Sequence, residues 1–506
     1  MFARISSLGI TGIDAFSVDV EVDIRRGGPR FEIGGLPDAA IKESRERIRS
    51  ALYACGVNFP VAAITVNLAP AGTKKSGSVH DMAIFMAIVR VSNLVDEVPE
   101  DCAFIGELSL NGDVRRVNGV LPMVMFAKEH NIHSVFVPYD NAKEASVIYG
   151  INVYAVSNAV QLIEHFRHKK MLSPCERYIP FNNEYDDSLD FSDVMGQQSA
   201  KKAVEIAAAG GHNVILVGTP GCGKSMIAKR IPSILPPLEF EESLETTKIH
   251  SIIGLVTPEM PIITKRPFRS PHHTTSDAGI VGGGKFPRPG ELSIAHNGVI
   301  FFDEMVEFSN KTLEILRQPL EDGKVTISRV NASYTYPCDV IFVGAMNPCP
   351  CGYYGSTKRK CTCTPKRIDA YRSKISGPLL DRIDLQVEVA PLEFHELTSD
   401  KPSETSAEIR KRVIAARQIQ KERFKGTGIK CNALMTKKKL NEYCRLDADS
   451  EKYIHTVFEN LGLSSRSYDS ILKVSRTIAD LEGSEKILKK HLATAVRYKS
   501  LDRKAL

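Results

Sequence analysis

The string Gly218-Thr219-Pro220-Gly221-Cys222-Gly223-Lys224-Ser225 constrains this chain more than any other stretch. It satisfies G-x-x-x-x-G-K-[ST] and follows directly on the apolar run from Val214 to Val217. A strand that leads through such a loop into a helix wraps backbone N–H groups around phosphate oxygens at the helix N-terminus. All eight residues then bind ATP, with Lys224 reaching the β- and γ-phosphates and Ser225 ligating Mg²⁺. ATP and Mg²⁺ are therefore the expected cofactors, on an α/β scaffold.

Hydrolysis also requires a carboxylate for the metal and a base for the attacking water. The apolar run Val299 to Phe302 ends in Asp303 and Glu304. This puts Asp303 on the Mg²⁺ and Glu304 on the water. A later apolar run, Val340 to Met346, ends in Asn347, whose amide can orient the water or the γ-phosphate. Taken alone, an Asn after a strand is more often a turn former.

The surroundings of these motifs define the domains. A length of 506 residues suggests about three domains at ~150 residues each. Residues 1–170 alternate β-branched runs (Phe16 to Val22, Ile64 to Leu68, Ser134 to Pro138, Val153 to Val156) with helical stretches such as Asp38 to Cys55, the pattern of an α+β or α/β domain. Residues 171–189 are polar, Pro-containing and acidic, and read as a linker. Residues 190–395 alternate apolar strands with helices, as a parallel sheet with crossover helices does. Residues 396–506 carry Lys, Arg, Leu and Ala at helical spacing, and read as an all-helical domain.

Hydrophobic residues at 43% and charged residues at 25% exclude global disorder. The net charge of +6 is small for the length and does not by itself announce nucleic acid, although the basic excess concentrates in the C-terminal domain. The run Val61 to Leu68, broken by Thr65 and Asn67, is far short of the ~20 apolar residues of a membrane helix. Met1 to Phe16 lacks the unbroken apolar stretch of a signal peptide, so a cytoplasmic location without a membrane partner is expected.

Two further clusters stand out. Cys349, Cys351, Cys361 and Cys363 form C-x-C-x₉-C-x-C, a set of four thiolates able to close a zinc knuckle over 349–363; the alternative is four reduced surface thiols. Tyr353, Tyr354, Lys358, Arg359 and Lys360 lie inside it, a composition suited to stacking on or clamping nucleic acid. Lys265, Arg266, Arg269, Lys285 and Arg288 lie in a Gly- and Pro-rich segment with few acidic residues, either as phosphate contacts to DNA or as a solvated basic loop.

The order of phosphate loop, Asp-Glu strand and Asn-tipped strand resembles the AAA+ ATPases, and Asp193-Val-Met-Gly196-Gln197 is similar to the segment that brackets adenine in them. Four strings narrow the resemblance: Arg266-Pro-Phe-Arg269-Ser-Pro-His272-His273, Pro287-Arg-Pro-Gly-Glu291, Gly377-Pro-Leu-Leu-Asp381-Arg382-Ile-Asp384 and Leu463-Ser-Ser-Arg466-Ser-Tyr468. They resemble the magnesium-chelatase-like ATPases, most closely the YifB/ComM family, over essentially the whole chain.

That resemblance implies three domains: a Lon-protease-like N-terminal domain, a AAA+ ATPase core and a C-terminal helical lid. It makes Arg382 the arginine finger that reaches a neighbouring subunit's γ-phosphate, Arg466 the second sensor arginine, and the active species a homo-hexameric ring. Gly35-Leu-Pro-Asp38 and Asn67-Leu-Ala-Pro70 resemble the Lon-type proteolytic fold, but its nucleophilic serine position falls on Val79 and its lysine position on Leu121. Neither side chain can act as nucleophile or base, so no peptidase activity is expected, although Lys74, Lys75, Ser76 and Ser78 lie close to that register.

The function implied is an ATP-driven DNA motor, a helicase or branch-migration translocase. It would act on single-stranded and branched DNA with recombination proteins, in homologous recombination during natural transformation. The alternative is an AAA+ protein-remodelling or magnesium-chelatase-like ATPase.

Overall fold

The residues Val214–Gly218 are buried along their whole length, which fits a strand covered on both faces inside a parallel sheet. The computed structural model describes residues 1–180, 189–284, 287–329, 332–391 and 403–499. Lys285, residues 181–188 of the expected linker and the expected 395/396 boundary lie outside the described residues. Contacts group the chain into two compact units. The first comprises Met1–Asn182, Glu239–Thr264 and Ser328–Thr335; the second comprises the rest, from Asn183 to Leu506.

In the first unit, β1 (Phe2–Thr11) and β2 (Asp14–Arg25) form a long antiparallel hairpin. β3 (Arg30–Gly34), β4 (Ala63–Ala69), β5 (Cys102–Phe104), β8 (Ser134–Pro138) and β9 (Asn152–Val156) complete a seven-stranded mixed sheet in the order β3-β4-β2-β1-β5-β8-β9. β6 (Glu107–Leu108) and β7 (Val114–Arg115) pair separately. The helix Asp81–Val91 is buried at every position except Arg90, because its sequence is apolar all round. The helix Phe240–Ile252, distant in sequence, packs here on the helix Val120–Glu129. Gly119 N–H donates to the Ser251 carbonyl at 3.0 Å, and the Ser251 hydroxyl lies on the buried Glu144 carboxylate.

Val79 and Leu121 lie in one apolar cluster of this unit, 7% and 0% exposed. The flanking polar groups face other partners: the Lys75 ammonium binds the Pro70 carbonyl, the Ser78 hydroxyl binds Glu107, and His80 Nδ1 lies 2.8 Å from the Ser7 hydroxyl.

The second unit is built on a parallel sheet. β10 (Val214–Gly218), β11 (Phe268–Arg269), β14 (Val299–Phe302), β17 (Ile341–Met346) and β18 (Leu385–Val389) run in the order β11-β14-β17-β10-β18. β12 (Gly282–Gly283) pairs with β13 (Arg288–Pro289). Between β14 and β17 in the chain come β15 (Lys324–Arg329) and β16 (Ala332–Pro337). Because β10 sits between β17 and β18, the connections on its two sides diverge. A crevice therefore opens at the C-terminal ends of the strands, where nucleotides bind in such sheets.

Beyond 403 the described chain is helical, as its composition suggested: Ser406–Arg423, Lys437–Tyr443, Ala448–Leu461, Ser465–Leu481 and Lys489–Arg497. These helices share a core with the sheet and with the helix Gln198–Gly210. A buried polar network fixes their packing: Asp480 accepts from Arg423 at 2.8 Å, from Arg476 at 3.1 Å and from Asn432 at 2.8 Å. The architecture is thus multidomain α/β, with a parallel-sheet core and a helical C-terminal part.

Candidate nucleotide site

Each residue of the site lies where an apolar strand of the parallel sheet ends. Gly221 and Gly223, at φ 78° and 94°, turn the loop after β10 through left-handed backbone that other residues resist, and the helix Lys224–Ile234 starts at once. The loop N–H groups and the positive end of this 11-residue helix are thereby aimed at one anion-sized space. Lys224 folds over the loop, donating to the carbonyls of Gly218 at 2.7 Å and Thr219 at 3.0 Å, and to Asn347 Oδ1 at 3.3 Å. Asn347 follows β17, so the two neighbouring strands deliver the cation and the amide to the same spot.

The Ser225 hydroxyl donates to Asp303 Oδ2 at 2.7 Å. These two oxygens converge as ligands of a hard divalent cation would. Glu304, the next residue, is exposed, and its backbone N–H is tied to Asp303 Oδ1 at 3.0 Å. Its φ of 46° is a left-handed conformation that a glutamate adopts only at a cost, a kind of strain that concentrates at functional sites.

Gln197, also left-handed at φ 54°, donates through its side-chain amide to the carbonyls of Cys222 at 3.3 Å and Ala390 at 2.6 Å. The Asp193-to-Gln197 segment is thereby fastened to the phosphate loop. Arg230 completes the fastening by pairing with Asp193 at 2.7 Å and with the Asp190 carbonyl at 2.6 Å.

Arg382 and Arg466 come together at a place distinct from these contacts. Arg382 follows the short helix Gly377–Leu380, and Arg466 lies in the first turn of the helix Ser465–Leu481. That helix docks on the 381–384 segment through Ser470, which donates to Asp384 at 2.6 Å. Both guanidinium groups then meet one carboxylate, Glu321: Arg466 at 2.7 Å, and Arg382 in a close pair. Asp384, two residues after Arg382, has a side chain only 16% exposed. Burial alone would raise its pKa, but the hydrogen bond and charge of His212, with Lys499 and Ser470, hold it at about 2. Glu321 has no sequence signature, since it sits in an ordinary amphipathic helix, Arg317–Asp322.

Two of the basic residues picked out for DNA are engaged within the chain. Arg266 donates to the carbonyls of Pro236 at 2.6 Å, Asn297 at 2.7 Å and Pro237 at 3.3 Å. Arg269 forms a two-pronged pair with Glu291 at 2.6 and 2.9 Å, which raises its pKa further. Lys265 and Arg288 are exposed, as are Lys358, Arg359 and Lys360 in the cysteine knuckle. Arg359 stacks over the Tyr353 ring at 4.4 Å, and Arg372 over Tyr354 at 4.9 Å.

Cys349, Cys351, Cys361 and Cys363 gather with all four sulfurs within 4.8 Å of one another. The separations are 3.4 Å for 349–351, 3.7 Å for 349–361 and 3.5 Å for 351–361. A tetrahedron of sulfurs around zinc at ~2.3 Å has edges of about 3.8 Å, so the set fits a tetrathiolate metal site. All eleven cysteines are free of disulfides.

Three family descriptions match the sequence along its length. "Subunit ChlI of Mg-chelatase" covers residues 20–141, "Magnesium chelatase, subunit ChlI" covers 190–397, and "Magnesium chelatase, subunit ChlI C-terminal" covers 403–499. The competence protein ComM of Haemophilus influenzae is 39% identical over 509 residues, spanning 99% of this chain and 98% of its own. YifB of Escherichia coli, an uncharacterized protein, is 39% identical over 497 residues, with 97% and 96% covered. An uncharacterized protein of Mycobacterium tuberculosis is 40% identical over 482 residues, 95% of each chain.

Proposed function

This chain belongs to the YifB/ComM family of magnesium-chelatase-like ATPases, and from that membership we propose that it is an ATP-driven DNA motor. The observation that carries the ATPase half is the convergence of Lys224 with Asn347, and of Ser225 with Asp303, at the ends of three successive parallel strands of the sheet, β14, β17 and β10. Similarity to a competence protein over nearly the full length of both chains supports DNA as the substrate.

In this reading, residues 218–225 bind the triphosphate of ATP. Ser225 and Asp303 hold Mg²⁺, which screens the charge developing on the phosphoryl group. Glu304 orients and deprotonates the attacking water, and Asn347 positions it against the γ-phosphate. Glu321 presents Arg382 and Arg466 as one cationic patch to the nucleotide of a neighbouring subunit, so the working form is a ring, a hexamer by family resemblance. Exposed Lys265 and Arg288 grip the DNA backbone, and the four cysteines hold a zinc ion. Each hydrolysis moves the basic loops along one strand and so migrates a branched junction during recombination.

The test compares ATP turnover of the purified chain alone, with single-stranded DNA and with a branched junction, using Glu304→Gln as the inactive control. Stimulation by DNA together with junction displacement is the expected result. Turnover indifferent to DNA would instead favour a protein-remodelling or chelatase-type ATPase.

A further inference from the structure

Nothing in the ATPase reading so far uses the position of the cysteine knuckle, which is built directly onto the phosphate site. Asn347, whose amide meets Lys224, is followed by Pro348 and then by Cys349. After the fourth cysteine the helix Pro365–Arg372 turns the chain back. Arg372 donates to the Pro348 carbonyl at 3.2 Å, and the Asn347 N–H points at the hydroxyl of Tyr371, whose pKa burial pushes up to about 12. Residues 347–372 thus form a loop closed at its base by Tyr371 and Arg372 and closed within by the four sulfurs.

The inner wall of this loop touches the phosphate loop. Gly352, at φ 83°, lies so close that an added Cβ would stand 2.6 and 2.7 Å from Cδ and Cγ of Pro220, the third residue of the phosphate loop, and 4.0 Å from Asn347 Cγ. Real Cβ contacts are not that short, and the obstacle is a rigid ring on a functional loop. Gly352 lies one residue after Cys351, so the ligand set fixes where it stands. N–H groups also converge on the sulfurs, from Tyr354 to Cys349 at 3.3 Å and from Cys363 to Cys361 at 3.4 Å, as they do around metal-bound thiolates.

We infer that a thiophilic divalent metal, zinc by its chemistry, bound to Cys349, Cys351, Cys361 and Cys363 acts as a buttress that holds Pro220 and Asn347 in their nucleotide-binding positions, making ATP affinity dependent on the metal. The inference rests on the zinc reading above and goes beyond it. The metal touches no nucleotide; Gly352 and Asn347 are positioning residues through which it acts. A loop of this length without a hydrophobic core of its own depends on such a closure for its shape.

The experiment uses the full chain with a fluorescent ADP analogue, metal analysis and far-UV circular dichroism. The unsubstituted protein is expected to carry about one zinc per chain. Cys361→Ser is expected to lose it and to bind nucleotide roughly tenfold more weakly, a loss equivalent to ~1.4 kcal/mol. Gly352→Ala tests the contact through which the metal acts, because it leaves every sulfur in place: zinc is retained and affinity falls by a similar factor. Zinc is removed from the unsubstituted chain with a chelator rather than a thiol reagent, since Cys222 lies inside the phosphate loop.

A chain purified without metal that also takes up none on titration with zinc overturns the metal site, and the buttress with it. Stoichiometric zinc with nucleotide affinity within twofold of the unsubstituted value in Gly352→Ala overturns the buttress and leaves the metal site standing. Should Cys361→Ser fail to fold, the chelator-stripped unsubstituted chain decides: a roughly tenfold loss of nucleotide affinity is expected, and affinity within twofold of the zinc-loaded chain overturns the buttress.

Discussion

Replacing Arg382 by alanine separates what this side chain does for the fold from what it does for chemistry. In the single chain its guanidinium pairs with Glu321, whose side chain is 46% exposed, and donates to the Pro378 carbonyl at 2.6 Å. The Arg382 side chain is itself 13% exposed, so the pair contributes on the order of 1–2 kcal/mol, between an exposed pair and a buried one. A guanidinium delivered to a transferring γ-phosphoryl group is worth about 10³–10⁵ in rate, or ~4–7 kcal/mol of barrier. Arg382→Ala is therefore expected to unfold at nearly the unsubstituted temperature and to bind ATP with similar affinity, while losing at least a thousandfold in turnover.

Mixing identifies the subunit on which Arg382 acts. Arg382→Ala chains have an intact Glu304, and Glu304→Gln chains have an intact Arg382, so each preparation is inactive alone. If the arginine acts on the neighbour, about a quarter of the interfaces in randomly mixed rings combine both intact residues, and turnover reappears at about that fraction. Steady-state phosphate release across mixing ratios reads this out. Undiminished turnover by Arg382→Ala, or no recovery on mixing, would refute the assignment.

Three other expectations follow from distances and charges. Asp303→Asn and Ser225→Ala each break the 2.7 Å pair and should weaken Mg²⁺-dependent nucleotide binding about tenfold or more, leaving Mg²⁺-free binding little changed; titrations with and without the metal check this. Asp480→Ala strands Arg476, only 2% exposed, without its carboxylate and should destabilise the helical C-terminal part by about 3–5 kcal/mol in urea unfolding. Asp384 titrates below its ordinary value of 3.8, so its stabilising contribution of about 2 kcal/mol is complete above about pH 4 and disappears as pH falls through about 2; acid unfolding of Asp384→Asn should lack that component.

What could be read beforehand was what is written locally. β10, β14 and β17 are short apolar runs bounded by candidate site residues, and the parallel sheet was legible from them because strands buried on both faces have no alternation to hide. β18 was not legible in the same way: its five residues, Leu385–Val389, carry Gln386 and Glu388 between the apolar positions and so form no apolar run. β1 mixes Ser, Gly and Thr with its apolar residues and so carries little strand signal of its own, although Phe2–Thr11 pairs along its whole length with β2. Glu321 was invisible in principle, since it stands 61 residues from Arg382 and 145 from Arg466, and only the folded packing of the chain brings the three side chains together. The inward commitments of Arg266 and Arg269 were hidden for the same reason, because composition counts charges without showing which carbonyl or carboxylate answers them.

The first unit's need for residues 239–264 has a consequence for how the chain is made. Synthesis proceeds at about 5–20 residues per second, and the helix Phe240–Ile252 leaves the ribosome some 110 residues after the helix Val120–Glu129 on which it packs. For on the order of ten seconds, the face awaiting Ser251 and the buried Glu144 carboxylate has no partner. Meanwhile the phosphate loop is already being translated, so the two units mature together rather than in sequence. The nascent chain passes through a stage with an exposed apolar helix face, where a chaperone that shields such surfaces would raise the yield of folded protein.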